Sequence, residues 1–367
     1  MIDKMTVGVE EEFHIVDLSS RRLTPRAGEV LALLPGEGYS PELQKSAVES
    51  KTRPSRELAD LREDISGLRR TLITAARKLD LGVAAAGTVP LVDFHGAQDG
   101  TDPRYGFLYD QFQFLAREQL LCSTQVHVNV EDRDLAVILA HRVERWMPIL
   151  LAISVSSPYW MGQDRGYASG RAMSWARWPT SGPIGRLSGA AEYDRVVADL
   201  RASGVVKDAG MIYFNVRPSS HVPTLELRVC DSCPDVRDIL LIAGLFRALV
   251  VHEWEAELAG RAAPEIDPVR ARGALWRAAR FGVEGDLVTA VTPTPAPGRE
   301  LVARLVDELG PVLDRLGDRS LVEEAARDFL RRGSSAARQR RAFARRGDFA
   351  DVVDLLVAET ADSADRH

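Results

Sequence analysis

The chain has 367 residues, 45% of them hydrophobic, enough to bury a large core in one large domain or two closely packed ones. Its formal net charge of −6 supplies no global attraction for nucleic acid or an anionic membrane, so small molecules are the expected partners. No stretch approaches the roughly 18 uninterrupted apolar residues of a membrane span, the first residues lack the apolar run of a signal peptide, and three cysteines are an odd number for a secreted disulfide framework. A cytoplasmic protein is expected.

The first predicted element is a strand around GVEEEFHIV, residues 8–16. Side chains alternate across a strand, so Val7, Val9, Glu11, Phe13 and Ile15 share one face while Gly8, Glu10, Glu12 and His14 share the other. Glu10 and Glu12 then sit roughly 6 to 7 Å apart along the strand, close enough to flank one cation or hold two adjacent ones. Glu11, on the apolar face, needs a partner or an exposed edge. A helix follows over 57–79, with Ser55 as its expected cap, because Leu58, Leu61, Ile65, Leu68, Leu72 and Leu79 recur at steps of three and four.

Further helical patterns cover 104–120, 134–154, 190–203 and 235–258. Between them lie the alternating segments QVHVNV, MIYFNVR and TLELRVCD. Each divides as the first strand does. Val126, Val128 and Val130 oppose Gln125, His127 and Asn129; Ile212, Phe214 and Val216 oppose Tyr213, Asn215 and Arg217; Leu225, Leu227 and Val229 oppose Thr224, Glu226, Arg228 and Cys230. A merely solvated face carries interchangeable Lys, Glu and Thr, whereas these faces carry groups that bind metals and phosphates. One antiparallel sheet built from them would be a wall of ligands backed by a hydrophobic layer.

The stretch 154–188 is long, rich in Gly, Ser, Trp and Arg, and without a sustained period, as binding loops and lids are. Beyond Pro268 the pattern is nearly all helix, broken at VTPTPAPG, residues 291–298. An α+β core is therefore expected, followed by a mainly helical segment over 268–367. There is no GxxxxGK[ST] loop and no GxSxG elbow. Cys230 and Cys233 form a lone CxxC without a second pair at zinc spacing and are read as packing.

The ordered set GVEEEF, AVESKT, GTVP, QVHVNV, SSPYW and NVRPSSHVPTLELRVCD, with LWRAARFG and the arginine-rich stretch 331–360, resembles the bacterial carboxylate-amine ligases related to the type 2 glutamate-cysteine ligases. The resemblance spans nearly the whole chain and implies a single ligase domain over 1–367 with a glutamine-synthetase-like fold, its antiparallel sheet curved into an active-site funnel and flanked by helices. It implies ATP and Mg²⁺ or Mn²⁺, with a small-molecule carboxylate and an amine joined through an acyl phosphate. The metal-binding acids would be Glu10, Glu12, Glu49 and Glu226, with His127 and Arg228 as catalytic groups at the metals and the transferring phosphoryl. Asn215, Arg217 and Arg228 would contact the nucleotide, and Gln125, Thr88, Arg171 and Asp164 the substrates.

Two departures stand out. Gln125 and Val89 occupy positions where the family commonly has histidine, and Gln125 neither gains nor loses a proton, which points to an altered substrate pocket. Two other readings are a metal-dependent amidase that uses the same acids without ATP, and a binder that uses the cluster Arg331, Arg332, Arg338, Arg340, Arg341, Arg345 and Arg346. A homo-oligomer is compatible with all three.

Overall fold

The computed structural model describes residues 5–92 and 103–365. The first half runs β1 (Val7–Asp17), α1 (Ala27–Leu31), β2 (Tyr39–Pro41), β3 (Ala47–Lys51), α2 (Leu58–Arg77), β4 (Leu81–Ala84), α3 (Pro103–Phe112), α4 (Phe114–Arg117), β5 (Thr124–Asn129), α5 (Arg133–Val143) and α6 (Met147–Ser154). The stretch 154–188 holds a small hairpin, β6 (Tyr159–Trp160) and β7 (Gln163–Asp164), and the short α7 (Gly170–Trp175). Then come α8 (Ala190–Ala202), β8 (Val216–Pro218), β9 (Thr224–Leu227) and the long α9 (Val236–Leu258). Beyond it the described residues run α10 (Pro268–Phe281), α11 (Gly298–Leu316), α12 (Arg319–Arg332), α13 (Ser335–Arg346) and α14 (Phe349–Asp365), with a hairpin of two two-residue strands before α11.

The main sheet has the order β2-β3-β1-β5-β9-β8, with β4 paired to the later half of β1, and every pairing in it is antiparallel. This is the α+β arrangement expected from the sequence. Directly opposed residues of an antiparallel pair point to the same face, so register decides which side chains meet. Glu12 opposes Glu49, Glu10 opposes both Lys51 and Gln125, Gly8 opposes His127, and His127 and Arg217 both oppose Glu226. Five strands thus present their polar positions on one side.

The other side is apolar. Val7, Val9, Val126, Val128, Val216, Leu225 and Leu227 are buried in one core together with residues of α5, α6 and α9. That core continues through Val302, Leu305 and Leu309 of α11 and Val322 and Phe329 of α12, while α14 packs on α2 and β4. No described helix is long and apolar enough to cross a membrane.

Four local expectations are corrected. Ser55 does not cap α2; it exchanges two backbone hydrogen bonds with Val7, and Glu57 precedes the helix. The helix expected over 104–120 breaks at Gln113, which has a positive φ of 49°. The helix expected over 134–154 is interrupted by a 3₁₀ turn at Glu144–Trp146, where Pro148 in the first turn of α6 has no N–H to donate back to Glu144. MIYFNVR is a strand only from Val216, because Nη1 of Arg217 gathers the carbonyls of Ala209, Gly210 and Ile212 and curls the preceding segment around the guanidinium.

Candidate active site

The polar face of the sheet forms one wall of a cavity of about 560 Å³, closed by residues 40–44, by Arg171, Trp175 and Trp178 of the 154–188 stretch, and by Tyr213. Two groups of side chains divide it.

The first is acidic. Carboxylate oxygens of Glu12, Glu42 and Glu49 lie within 4.8 Å of one another. Glu12 accepts from the Ser123 amide at 2.7 Å and from Gln125 Nε2 at 3.2 Å, and Glu49 accepts from Ser40 Oγ at 2.9 Å. Burial and the neighbouring charge of Glu49 push the Glu12 carboxyl up to about 7. Burial, with Glu12 and Glu49 beside it, raises Glu42 well above the usual carboxylate range. Lys51 bridges this group to the next, with Nζ 2.8 Å from Glu49 and 3.2 Å from Glu10. Three converging carboxylates offer an all-oxygen donor set that suits a hard divalent cation such as Mg²⁺ or Mn²⁺.

The second group is an alternation of acids and bases. Nδ1 of His127 is 2.9 Å from Thr224 Oγ1, and its buried Nε2, 3.8 Å from Glu10, has no hydrogen-bond partner among the described residues. Burial alone would raise the Glu10 carboxyl, but His127 and Lys51 outweigh it and hold it low. Glu226 is nearly fully buried, yet Arg228 and Arg217 hold it far below the usual range; Arg217 grips it at 3.1 and 3.3 Å, and Arg228 also hydrogen-bonds it. Nη1 of Arg228 reaches Gln125 Oε1 at 2.7 Å, so the Gln125 amide ties the acidic group to the arginines. The Arg228 guanidinium lies 5.8 Å from the Trp175 ring and 5.9 Å from that of Tyr213.

Arg171 is buried at the back of the cavity. It donates to the carbonyls of Arg228 and Val229 at 3.2 Å and stands 3.8 Å from Asp231, itself fixed by the Ser156 amide and the hydroxyls of Ser157 and Ser169.

The expected site residues therefore fall into three sets. Glu10, Glu12, Glu49, Glu226, Gln125, His127, Arg171, Arg217 and Arg228 all line the cavity, though the four acids split between two groups rather than one. Asn215 lies behind it, donating its amide to Glu144 and facing a second cavity. Thr88 and Asp164 are elsewhere: Thr88 is buried and donates to the Tyr159 carbonyl at 2.7 Å, and Asp164 is on the exposed β6–β7 hairpin, ion-paired with Arg340.

Sequence reasoning missed Glu42 and Lys51. Lys51 shares parity with Glu49 on β3 and was detectable on that ground; Glu42 lies beyond the end of β2, where alternation gives no signal. Trp175 and Trp178 were hidden in the 154–188 stretch, which has no period, whereas Tyr213 fell on the polar face of MIYFNVR without being assigned a role. Cys230 and Cys233 are buried, with their thiols against backbone carbonyls, as packing residues are. Much of the arginine cluster is spoken for: Arg332 pairs with Asp238 and Asp328, Arg338 with Glu359, Arg340 with Asp164 and Arg346 with Asp351.

Residues 6–355 match the sequence pattern described as "Glutamate-cysteine ligase family 2". The chain belongs to that family. Among curated family 2 relatives, the Frankia casuarinae protein named "Putative glutamate--cysteine ligase 2-2" is 53% identical over 358 residues, covering 98% of this chain and 42% of its own. A Mycolicibacterium smegmatis protein of the same name is 51% identical over 360 residues, covering 98% of this chain and 91% of its own. The chain thus spans less than half the length of the Frankia relative. Among solved structures, a glutamate-cysteine ligase from Francisella tularensis in complex with AMP superposes with a TM-score of 0.72 at 12% identity, over 98% of this chain and 92% of that one. A bifunctional glutathione synthetase from Pasteurella multocida gives 0.70 at 14%, over 99% and 53%. At such identities these two share the fold.

Proposed function

We propose that the protein is an ATP-dependent carboxylate-amine ligase, joining an acid and an amine as an amide with release of ADP and phosphate. The observation that carries this is the joining, within one cavity, of the acidic trio Glu12, Glu42 and Glu49 to the Arg217–Glu226–Arg228 array. An amidase would have a use for the first group; the second, with two arginines and a His127 Nε2 that makes no hydrogen bond to the described residues, is suited to phosphate oxygens. A carboxylate and an amine do not condense at neutral pH because oxide is a poor leaving group, so the acid must be activated.

In the proposed route a carboxylate oxygen of the substrate attacks the γ-phosphorus, the P–O bond to ADP breaks, and an acyl phosphate forms. The amine nitrogen, once deprotonated, attacks the acyl carbon, and phosphate leaves with the C–O bonding pair. Glu12, Glu42 and Glu49 would hold one divalent cation and Glu10 would face a second. When bound, such ions supply charge to phosphate oxygens. The residues act alongside: Arg228 and Arg217 direct N–H donors at the phosphoryl oxygens, and His127 adds one more. Arg171, anchored by Asp231 and the 228–229 carbonyls, meets the carboxylate substrate, which an amino acid such as glutamate would supply. Gln125 holds Glu12 and Arg228 in register without changing charge. A reducing, cytoplasmic setting suits the three free buried cysteines.

The test is ADP release against pools of acids and amines with Mg²⁺ or Mn²⁺. Release that requires both an acid and an amine, and that Glu10→Ala abolishes, supports the ligase. Amide cleavage without nucleotide rejects it, and full ATP- and substrate-dependent turnover of Glu10→Ala rejects the assignment of Glu10 to a metal.

A further inference from the structure

A second cavity of about 390 Å³ adjoins the first, and Arg171, Trp175 and Trp178 line both. Its character differs. Trp175, Trp178 and Trp276 with Met173 and Leu275 make its walls largely aromatic and apolar, the chemistry of a pocket for a flat ring. It has a direction too. Leu151, Val229 and Ala279 close a buried inner end, where Arg171 is held by Asp231 and two carbonyls, while Arg272 and Trp276 stand exposed at the rim.

Two polar groups of this cavity are unused. The Nε1 of Trp175 is buried without a hydrogen-bond partner, and Arg272 has neither ion pair nor hydrogen bond among the described residues. An unpaired cation at the mouth of an apolar slot selects an anion at the outer end of whatever enters. A cysteine side chain, small and without a ring, would leave most of this volume unfilled.

We propose that the second cavity binds the amine substrate, and that this amine is a flat aromatic molecule with a carboxylate at the end opposite its amino group. The proposal rests on the ligase reading for the word substrate, but not for binding itself. The ring lies among Trp175, Trp178 and Trp276, the carboxylate meets Arg272 at the rim, and the amino group points to the wall shared with the main cavity. There, entering as the free amine, it attacks the acyl carbon: the N–C bond forms, the C–O bond to phosphate breaks with its electron pair going to phosphate, and the proton shed by the nitrogen leaves on that phosphate.

The probe is 4-(aminomethyl)benzoate, titrated calorimetrically into the full chain without nucleotide, with benzylamine and cysteine as comparisons. Benzylamine is expected to bind about 3- to 10-fold more weakly and cysteine without detectable heat, since the first lacks the charge-assisted contact and the second the ring. Arg272→Ala, an exposed change, should reduce the probe to the benzylamine level while leaving benzylamine binding as it was. Ala176→Trp, exposed at the same rim, should block both, with thermal unfolding unchanged in each variant. Equal binding of probe and benzylamine, or probe binding indifferent to Ala176→Trp, overturns the proposal. ADP release measured in parallel separates the two readings. Turnover with ring-free amines that Ala176→Trp does not slow refutes the inference and leaves the ligase standing. Probe binding with no ADP from any acid–amine pair upholds the pocket and refutes its role as an amine site.

Discussion

Arg69→Met tests how the strand that carries Glu10 and Glu12 is held. Arg69 and Glu11 are both essentially inaccessible to solvent, on the apolar side of the sheet. All five guanidinium N–H groups are used: Nε is 3.2 and 3.3 Å from the Glu11 carboxylate, Nη2 binds Glu11 and the Cys233 carbonyl, and Nη1 binds the Pro234 carbonyl and Ser363 Oγ. Methionine fills most of the volume but leaves a buried carboxylate and the Cys233 carbonyl without their arginine donors, while the Pro234 carbonyl keeps only the Ser363 hydroxyl. Removing one partner of such a pair costs about 3 to 5 kcal/mol, a large part of the roughly 5 to 15 kcal/mol that holds a domain folded. Urea unfolding at pH 7 should show that loss as a lower midpoint at unchanged slope. The double variant Glu11→Leu with Arg69→Met removes both charges and should recover most of it. A loss below about 1 kcal/mol for the single variant, or a double variant no better than the single, would refute the reasoning, because the pair would then not be the buried charge compensation that its geometry describes.

Two further outcomes follow from other carboxyls. Glu42→Gln should weaken Mn²⁺ binding at least about tenfold, read by loss of the free-ion resonance signal on titration, because one of three converging carboxylates becomes a neutral amide; unchanged affinity would remove Glu42 from the cation site. Glu144 is fully buried with a single hydrogen bond, from Asn215, and burial pushes its carboxyl up to about 8. Its folded value lies above its unfolded value of 4.5, so the native state binds the extra proton, and the stability this gives is full below pH 4.5 and is lost as pH rises through about 8. The loss approaches roughly 1.4 kcal/mol per pH unit within that window. Glu144→Gln should flatten this slope in urea unfolding at pH 6 and 8.5, and a variant that keeps the wild-type slope would show that another group titrates.

Alternation made the sheet and most of its site legible. Period-two patterning placed Glu10, Glu12, Gln125, His127 and Glu226 on one face before any register was known, because parity is a property of each strand alone. It failed where the chain leaves the ladder. Residues 211–215 alternate as a strand does but wrap the Arg217 guanidinium, so Asn215 turns to Glu144 and lies outside the lining of the main cavity. Thr88 and Asp164 came from motif position and loop membership, which fix no direction, and tertiary contacts with Tyr159 and Arg340 claimed them. Glu42 follows the last residue of a three-residue edge strand, and only the fold brings it beside Glu12 and Glu49.

The middle glutamate of the EEE run then has a physical purpose. A one-residue slip of β1 would exchange its two faces, sending Glu10 and Glu12 into the core and Glu11 into the cavity. The flanking apolar residues oppose that slip, but Val7, Val9 and Phe13 would tolerate many polar residues between them. Glu11 specifies more: its carboxylate is satisfied only where Arg69 waits, and Arg69 is fixed in turn by residues 233–234 ahead of α9 and by Ser363 of α14. The charge on the back of the strand therefore ties α2, the segment before α9 and the C-terminal helix to the one register that turns Glu10 and Glu12 toward the cavity. On this argument Arg69→Met should reduce Mn²⁺ affinity as well as stability, whereas the charge-free double variant should regain stability more fully than it regains affinity, since hydrophobic residues refill the space without restoring the directional contact.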